Sequence, residues 1–360
     1  MQADREVYQR PTRRRLLKSA LSGMSGWTLM TGFSGCSNRP NPWGGIADRY
    51  ADSRLRSYFD GDMWIEAQVS DARNFTEGPA ADRAGNVFFT NIPASKIYRW
   101  HPETKQLTLF RDHAGQTNGL RFDAAGHLLA CEGEAGRVTR TDMRSGEVTI
   151  LADAFEGHPL EAPNDLDIDS QGRIYFTSRP TSDVPTNGYV NAVYRIDPDG
   201  TLHQLLHAPQ VHMPNGIVIS PDESAIYLIE AHPDANHNRH VRAYDLHADG
   251  SISNERILID FYPGRSGDGM CIDVEGNLYV AAGLHQRRGT SETLDTKPGI
   301  HVISPQGELL AYAPTPNDTI TNCSFGGTDL HKLYITSGAQ LLSIRTKIPG
   351  KASYRPDGPA

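Results

Sequence analysis

The sequence predicts an all-β chain folded as a six-bladed β-propeller. Three observations predict it. The first is the stretch Gly267-Asp268-Gly269-Met270-Cys271-Ile272-Asp273-Val274-Glu275-Gly276-Asn277-Leu278-Tyr279-Val280-Ala281-Ala282, a short strand, a tight turn and a return strand. Met270 and Ile272 alternate with their neighbours at the period of a half-buried strand. Asp273 and Gly276 supply the turn, since Asp bonds its own backbone and Gly accepts positive φ. The second observation is recurrence. The pattern is headed by Glu77, Asn118, Asn164, Asn215, Asp268 and Asn322, at intervals of 41, 46, 51, 53 and 54 residues. A strand-turn-strand repeat of roughly 40–55 residues is the signature of a propeller. The third is composition: 38% hydrophobic residues with 34 Gly and 23 Pro suits many short strands and turns.

In chain order, residues 1–36 read as an address. Thr12-Arg13-Arg14-Arg15-Leu16-Leu17-Lys18 matches a twin-arginine export signal, and a mildly apolar stretch follows to Phe33. Phe33-Ser34-Gly35-Cys36 is similar to a lipobox, with Cys36 as the acylated residue of a lipid anchor. The expected location is therefore the periplasm or the cell envelope. Residues 37–60, rich in Asn, Pro, Gly, Asp and Arg, read as a linker. Residues 63–69 form a lone strand ahead of the first repeat. The last repeat lacks an outer strand, so this strand is expected to complete it and remove a free sheet edge. The propeller is assigned to residues 61–348 and a tail to 349–360.

Each repeat carries further outer strands rich in β-branched and aromatic residues. They include residues 96–100 and 106–110, 137–140 and 148–151, 192–196 and 202–206, 241–244 and 256–260, and 300–303 and 309–312. The longest loops, 179–191, 230–240 and 283–298, lead into outer strands. On one rim they would wall a pocket over the central channel.

The whole chain carries a net charge of −8. Residues 1–35 hold six Lys/Arg and two Asp/Glu, so the chain without them carries −12. Such an acidic domain is unsuited to nucleic acid. No run of 18 apolar residues is present, so no transmembrane helix is expected. Beyond Cys36 three cysteines remain, Cys131, Cys271 and Cys323. The odd count argues against a disulfide framework, and their positions read as core filler.

The first strand of each blade lines a propeller's axis, so the six head residues converge at one depth. Carboxylate and amide oxygens from several blades make a site for a hard cation. None of the heads is His or Cys, which points away from a zinc-type site. Glu77 and Asp268 together balance a divalent ion. Calcium is the first choice, ahead of Mg2+, Mn2+, Fe2+ or Zn2+. Asn-Gly and Asp-Gly are also ordinary turn formers, so a single head Asn has a structural reading too. Glu77 fits that reading poorly.

The motifs Glu77-Gly78-Pro79, Pro163-Asn164-Asp165, Pro214-Asn215-Gly216 with Ser220-Pro221-Asp222, and Asp268-Gly269-Met270 with Asp273 and Gly276 resemble the SMP-30/gluconolactonase family. Asn118-Gly119-Leu120, Leu129-Ala130-Cys131-Glu132 and Asn322-Cys323 with Phe325-Gly326-Gly327 are similar to its bacterial gluconolactonase branch. The resemblance spans about 70–345. It implies a six-bladed propeller with one divalent cation, usually calcium, held by Glu77, Asn164, Asn215 and Asp268. It also implies that Asp268 is catalytic, as general base or nucleophile. Members commonly hydrolyse sugar lactones to aldonic acids, and some relatives cleave phosphorus esters. Asn118, Glu132, Arg179 and Asn322 are candidate substrate-binding residues. Two departures bear on sugar preference: Gly133-Glu134-Ala135-Gly136 precedes Arg137 where basic residues or His are frequent, and Ala162 stands where animal members carry Arg. The expected function is metal-dependent lactone hydrolysis. The alternatives are a phosphorus-ester hydrolase on the same site and a non-catalytic binding propeller.

Overall fold

The computed structural model describes residues 50, 57–180 and 191–352. The export segment, most of the linker, the centre of the 179–191 loop and residues 353–360 lie outside the described residues. Six four-stranded antiparallel sheets follow one another along the chain. Their first strands are Thr76–Ala81, Thr117–Phe122, Pro163–Ile168, Pro214–Ile219, Gly267–Ile272 and Ile320–Gly326. Each first strand touches the first strands of the two neighbouring blades, which closes a ring. Five of the six are buried along their whole length. Exposure rises outward, as in the fourth strand of blade one, Gln106–Arg111. The chain is a six-bladed β-propeller.

The predicted turn device recurs between first and second strands. Asp273 Oδ1 accepts the backbone N–H groups of Glu275 and Asn277, both at 2.9 Å, and Gly276 sits at φ 85°. Asp82, Asp123 and Asp169 accept from the residue four positions on in the same way. The carboxylate replaces the backbone partners that the reversal removes.

Ring closure uses the N-terminal strand as expected. Phe59–Gln68 pairs antiparallel with Gln340–Thr346, giving the last sheet one strand from the start of the domain and three from its end. The strand begins at Phe59 rather than 63, drawing in residues assigned to the linker. Phe59 pairs with Thr346 and buries its ring against Tyr279. The Asp60-Gly61-Asp62 run that reads as linker coincides with a register shift between Asp60 and Trp64. Three further differences are local. The hairpin Ala154–Phe155 with His158–Pro159 was not foreseen. The outer strand of blade four runs Ile252–Asp260 rather than 256–260, and the predicted closing strand ends at Gln68 rather than 69.

The core lies between blades, where the faces of successive sheets meet. Cys271 and Cys323 bring their Sγ atoms to 3.5 Å between blades five and six, and Cys131 packs between blades two and three. All three are free and buried. Burial pushes the Cys131 and Cys271 thiols up, so they act as packing groups.

One end of the axis is plugged. Arg121 pairs with Asp167 at 3.0 Å there. The chain beyond the last strand then crosses it. Gly350 N–H donates to Leu330 O, Lys351 N–H to Ile272 O, and Lys351 Nζ to Ile219 O at 3.1 Å. Among the described residues no helix is long and apolar enough to cross a membrane.

A chain lacking residues 1–68 should lose this closure and expose Gln340–Thr346 as an open edge. Its melting temperature should fall and it should self-associate. Calorimetry and size-exclusion chromatography check this, and a monomer with unchanged melting would contradict it.

Candidate active site

Every first strand breaks register within two residues of its head. The shifts fall between Glu77 and Ala80, Thr117 and Leu120, Pro163 and Leu166, Pro214 and Ile217, Gly267 and Met270, and Ile320 and Asn322. A bulge adds an unpaired residue and re-aims side chains, here at the same depth in all six blades. Threonines of three second strands bond head carbonyls beside the bulges. Thr90 Oγ1 donates to Asn118 O and Thr177 Oγ1 to Asn215 O, each reaching the next blade. Thr336 Oγ1 donates to Asn322 O.

Glycines let the heads meet. A Cβ on Gly78 would stand 2.1 Å from Asn118 O, and one on Gly269 2.0 Å from Asn322 Cγ. Gly119 similarly faces Asp165 Oδ1 at 2.6 Å. Gly119 and Gly269 have no positive φ, so their requirement is close approach.

Glu77, Asn164, Asn215, Asp268 and Asn322 are all buried at these positions. Asp268 Oδ1 accepts from Asn215 Nδ2 at 2.5 Å, joining blades four and five. Its Oδ2 accepts from the buried guanidinium of Arg265, also at 2.5 Å. Arg265 is held in turn by donating to Ile320 O at 3.0 Å. Asn322 reaches across the axis from blade six to Asp165 Oδ2 of blade three at 3.2 Å. Its own amide oxygen accepts from Cys323 N–H.

The cluster therefore holds a third carboxylate. Burial, then the charges of Asp268 and Asp165, push the Glu77 carboxyl well above its usual range, against hydrogen bonds from Gly78 and Asn322. Burial raises Asp165 to about 7, although Arg121, the Leu166 N–H and Asn322 favour its charge. Among the described residues no Lys, Arg or His forms an ion pair with Glu77. A buried carboxylate without a cationic partner is costly. Adjacent amide oxygens make that pocket suit a hard divalent cation.

The other candidates differ. Asn118 is partly exposed. Glu132 is buried with both oxygens engaged, by Arg137 Nε at 2.7 Å, Thr139 Oγ1 at 2.9 Å and Arg111. Arg179 is half-buried, with its N–H on Ala162 O.

Three residues escaped sequence reasoning. Asp165 follows a head Asn and reads as part of the turn-like motif; the bulge is what faces it inward. Arg265 precedes an acidic head by three positions, and that spacing was the available signal. Arg288 comes from the 283–298 loop and donates to Thr319 Oγ1 at 3.0 Å. Burial and then the positive charge of Arg265 lower its pKa, so two guanidiniums share this end of the axis.

The described ends of the three loops lie on one rim. The head strands pair with the ends of the second strands, from which the loops emerge: Pro163 with Ser178, Pro214 with Glu230 and Gly267 with Ala282. Buried Arg239 ties two of the loops together, with Nε donating to His232 O and Nη2 to Ser291 Oγ, and Ser291 Oγ donates to Pro233 O.

Fold and site together define a propeller with an oxygen-lined polar cluster at one end of its axis and a plug at the other. The chain belongs to the SMP-30/gluconolactonase/LRE-like family, whose signature matches residues 75–339. It is 27% identical over 328 residues to a gluconolactonase of Zymomonas mobilis, covering 82% of this chain and 85% of that one. It is 28% identical over 277 residues to regucalcin of Danio rerio, covering 76% and 86%. A gluconolactonase from Xanthomonas campestris superposes with a TM-score of 0.68 at 26% identity, over 82% of this chain and 93% of that one. These relatives define a lactonase-type propeller.

The raised carboxyls give a pH prediction for the chelator-treated protein. The folded chain keeps protons on Asp165 and Glu77 at pH values where the unfolded chain has released them. Folding stability should therefore rise as pH falls from about 7 towards about 4 through these groups. Melting temperature measured across that window, with and without excess calcium, checks it. Calcium should flatten the dependence, and Asp165→Asn should reduce it.

Proposed function

We propose that the head end of the axis is the active site of a metal-dependent hydrolase that opens a sugar lactone to its aldonic acid. The observation that carries this reading is the buried set of Glu77, Asp165, Asn215 and Asp268, with Arg265 fixing Asp268. Kinship to gluconolactonases supports the substrate class. Glu77, Asn164, Asn215 and Asp268 would hold one divalent cation, calcium being favoured by the all-oxygen donors. When bound, that cation supplies Lewis-acid polarisation of the lactone carbonyl.

The chain's own residues supply the rest. Asp268 acts as general base: it takes a proton from water as the water oxygen bonds to the carbonyl carbon. The ring C–O bond then breaks, and the departing alkoxide takes that proton back from Asp268, leaving the hydroxy acid and regenerating the carboxylate. Arg265 orients the Asp268 carboxylate through its hydrogen bond to Oδ2. Arg265 and Arg288 give the mouth positive charge that favours a developing carboxylate.

Asp268→Asn keeps volume and an oxygen but removes the base. Its turnover on a lactone panel should fall by roughly 10² or more, and added calcium should not restore it. Glu77→Gln should lose metal by elemental analysis and regain part of its activity in excess calcium. An Asp268→Asn enzyme with near wild-type turnover would overturn the mechanism.

Residues 1–36 are proposed to direct twin-arginine export, leaving the protein periplasmic or anchored through Cys36. The supporting feature is Arg13-Arg14 ahead of an apolar stretch. Replacing both by Lys should trap full-length precursor in the cytoplasm, and Cys36→Ala should release anchored protein from membranes. Cell fractionation reads both; unchanged export of the Lys variant refutes the route.

A further inference from the structure

The rim loop 230–240 carries a group that the axial site does not use. His232, Asp234 and His237 each offer one metal-ligating atom, and these atoms lie within 4.8 Å of one another. The His232 and His237 rings stack with centroids 3.8 Å apart, and His212 meets His237 edge-on at 4.8 Å. Two imidazoles of the loop and His212, from the segment ahead of the blade-four first strand, thus gather on this rim.

The hydrogen bonding of these rings is incomplete. His237 Nδ1 and His212 Nδ1 are both buried and have no partner. Buried polar atoms are almost always satisfied, so each orphan calls for an explanation. Ring packing alone would not require it. His232 Nδ1 accepts only the Asp234 N–H, at 3.1 Å, a bond that closes the turn. Exchanging that bond for coordination leaves the turn within reach of its other contact, His237 N–H on Asp234 O.

The loop's backbone is anchored independently of the rings. His232 O and Pro233 O both accept from Arg239, and Pro233 O also accepts from Ser291 Oγ. The three ligand side chains therefore project from a braced turn, which lowers the entropic cost of gathering them. Imidazole nitrogen with one carboxylate selects a borderline first-row ion, unlike the all-oxygen axial cluster.

We propose that His232, Asp234 and His237 form a second, peripheral metal site of the zinc class on the rim of the propeller, with an open coordination position. Small rotations of the side chains bring the donors to metal–nitrogen distances of about 2.0–2.1 Å and a metal–oxygen distance of about 2.0–2.2 Å. Its occupation would brace the 230–240 loop beside the mouth. The inference does not depend on the lactonase reading.

The test is Co2+ titration of chelator-stripped full-length protein, read by visible absorption and followed by Zn2+ displacement. Tetrahedral nitrogen-bound Co2+ absorbs strongly, whereas six-coordinate oxygen-bound Co2+ does not, so the two sites are separable. Wild type should show the strong band and lose it to Zn2+. His232→Gln and His237→Gln should each weaken that binding by about tenfold or more, with circular dichroism unchanged. Glu77→Gln should keep the band. Should one histidine variant misfold, the other together with Asp234→Asn gives the same readout. Absence of the band in wild type, or its survival in the variants, overturns the proposal.

Discussion

The structure depends on how closely six backbones can approach at one end of the axis. Each first strand carries a register break beside its head, and glycine follows the head in four of the six blades. A methyl group on Gly78 or Gly269 would meet the neighbouring blade near 2 Å. The bulge turns side chains inward, and the missing Cβ lets the next blade come near enough for those side chains to meet. The threonines of the second strands then bond the carbonyls that the bulges expose, often across to the next blade. Geometry that would be a local defect in one sheet becomes, repeated six times, a shared polar pocket.

That pocket concentrates negative charge where water is scarce. Glu77, Asp165 and Asp268 come from blades one, three and five, so the ring spaces them around the axis. They are handled differently. Asp268 is ion-paired to Arg265, Asp165 bonds Asn322 across the axis, and Glu77 receives neutral donors but no counter-charge. The axis is closed at the far end by Arg121, Asp167 and the chain at residues 349–352. Access is thus from the end where the long loops rise. Arg239 couples two of these loops through Ser291, so the mouth behaves as a braced wall.

Much of this was legible in the residues. The repeat of strand, Asp-x-x-Gly turn and strand gave the blade count, since a propeller blade is one supersecondary unit written many times. The lone strand before the first repeat and the missing strand in the last matched, because an unpaired edge needs a partner. Polar heads marked the axial positions because polar residues at the start of otherwise buried strands need a shared reason. Where Phe59 lies in an otherwise linker-like run, composition misled, because one buried ring outweighs several polar neighbours in setting where pairing begins.

What the sequence by itself determined was periodic: the all-β class, six blades, the turns, the closing strand and the identity of the head residues. These follow from local alternation and from chemistry repeated at regular spacing. Only the tertiary structure decided which groups meet. Asp165 enters the pocket through a bulge that alternation alone cannot reveal. Arg265 reaches Asp268 because the loop between blades four and five folds it back to the axis. Asn322 meets Asp165 from 157 residues away because blades three and six face each other across the channel. Ring closure converts sequence separation into adjacency, and such contacts leave no mark on the residues beside them in the chain.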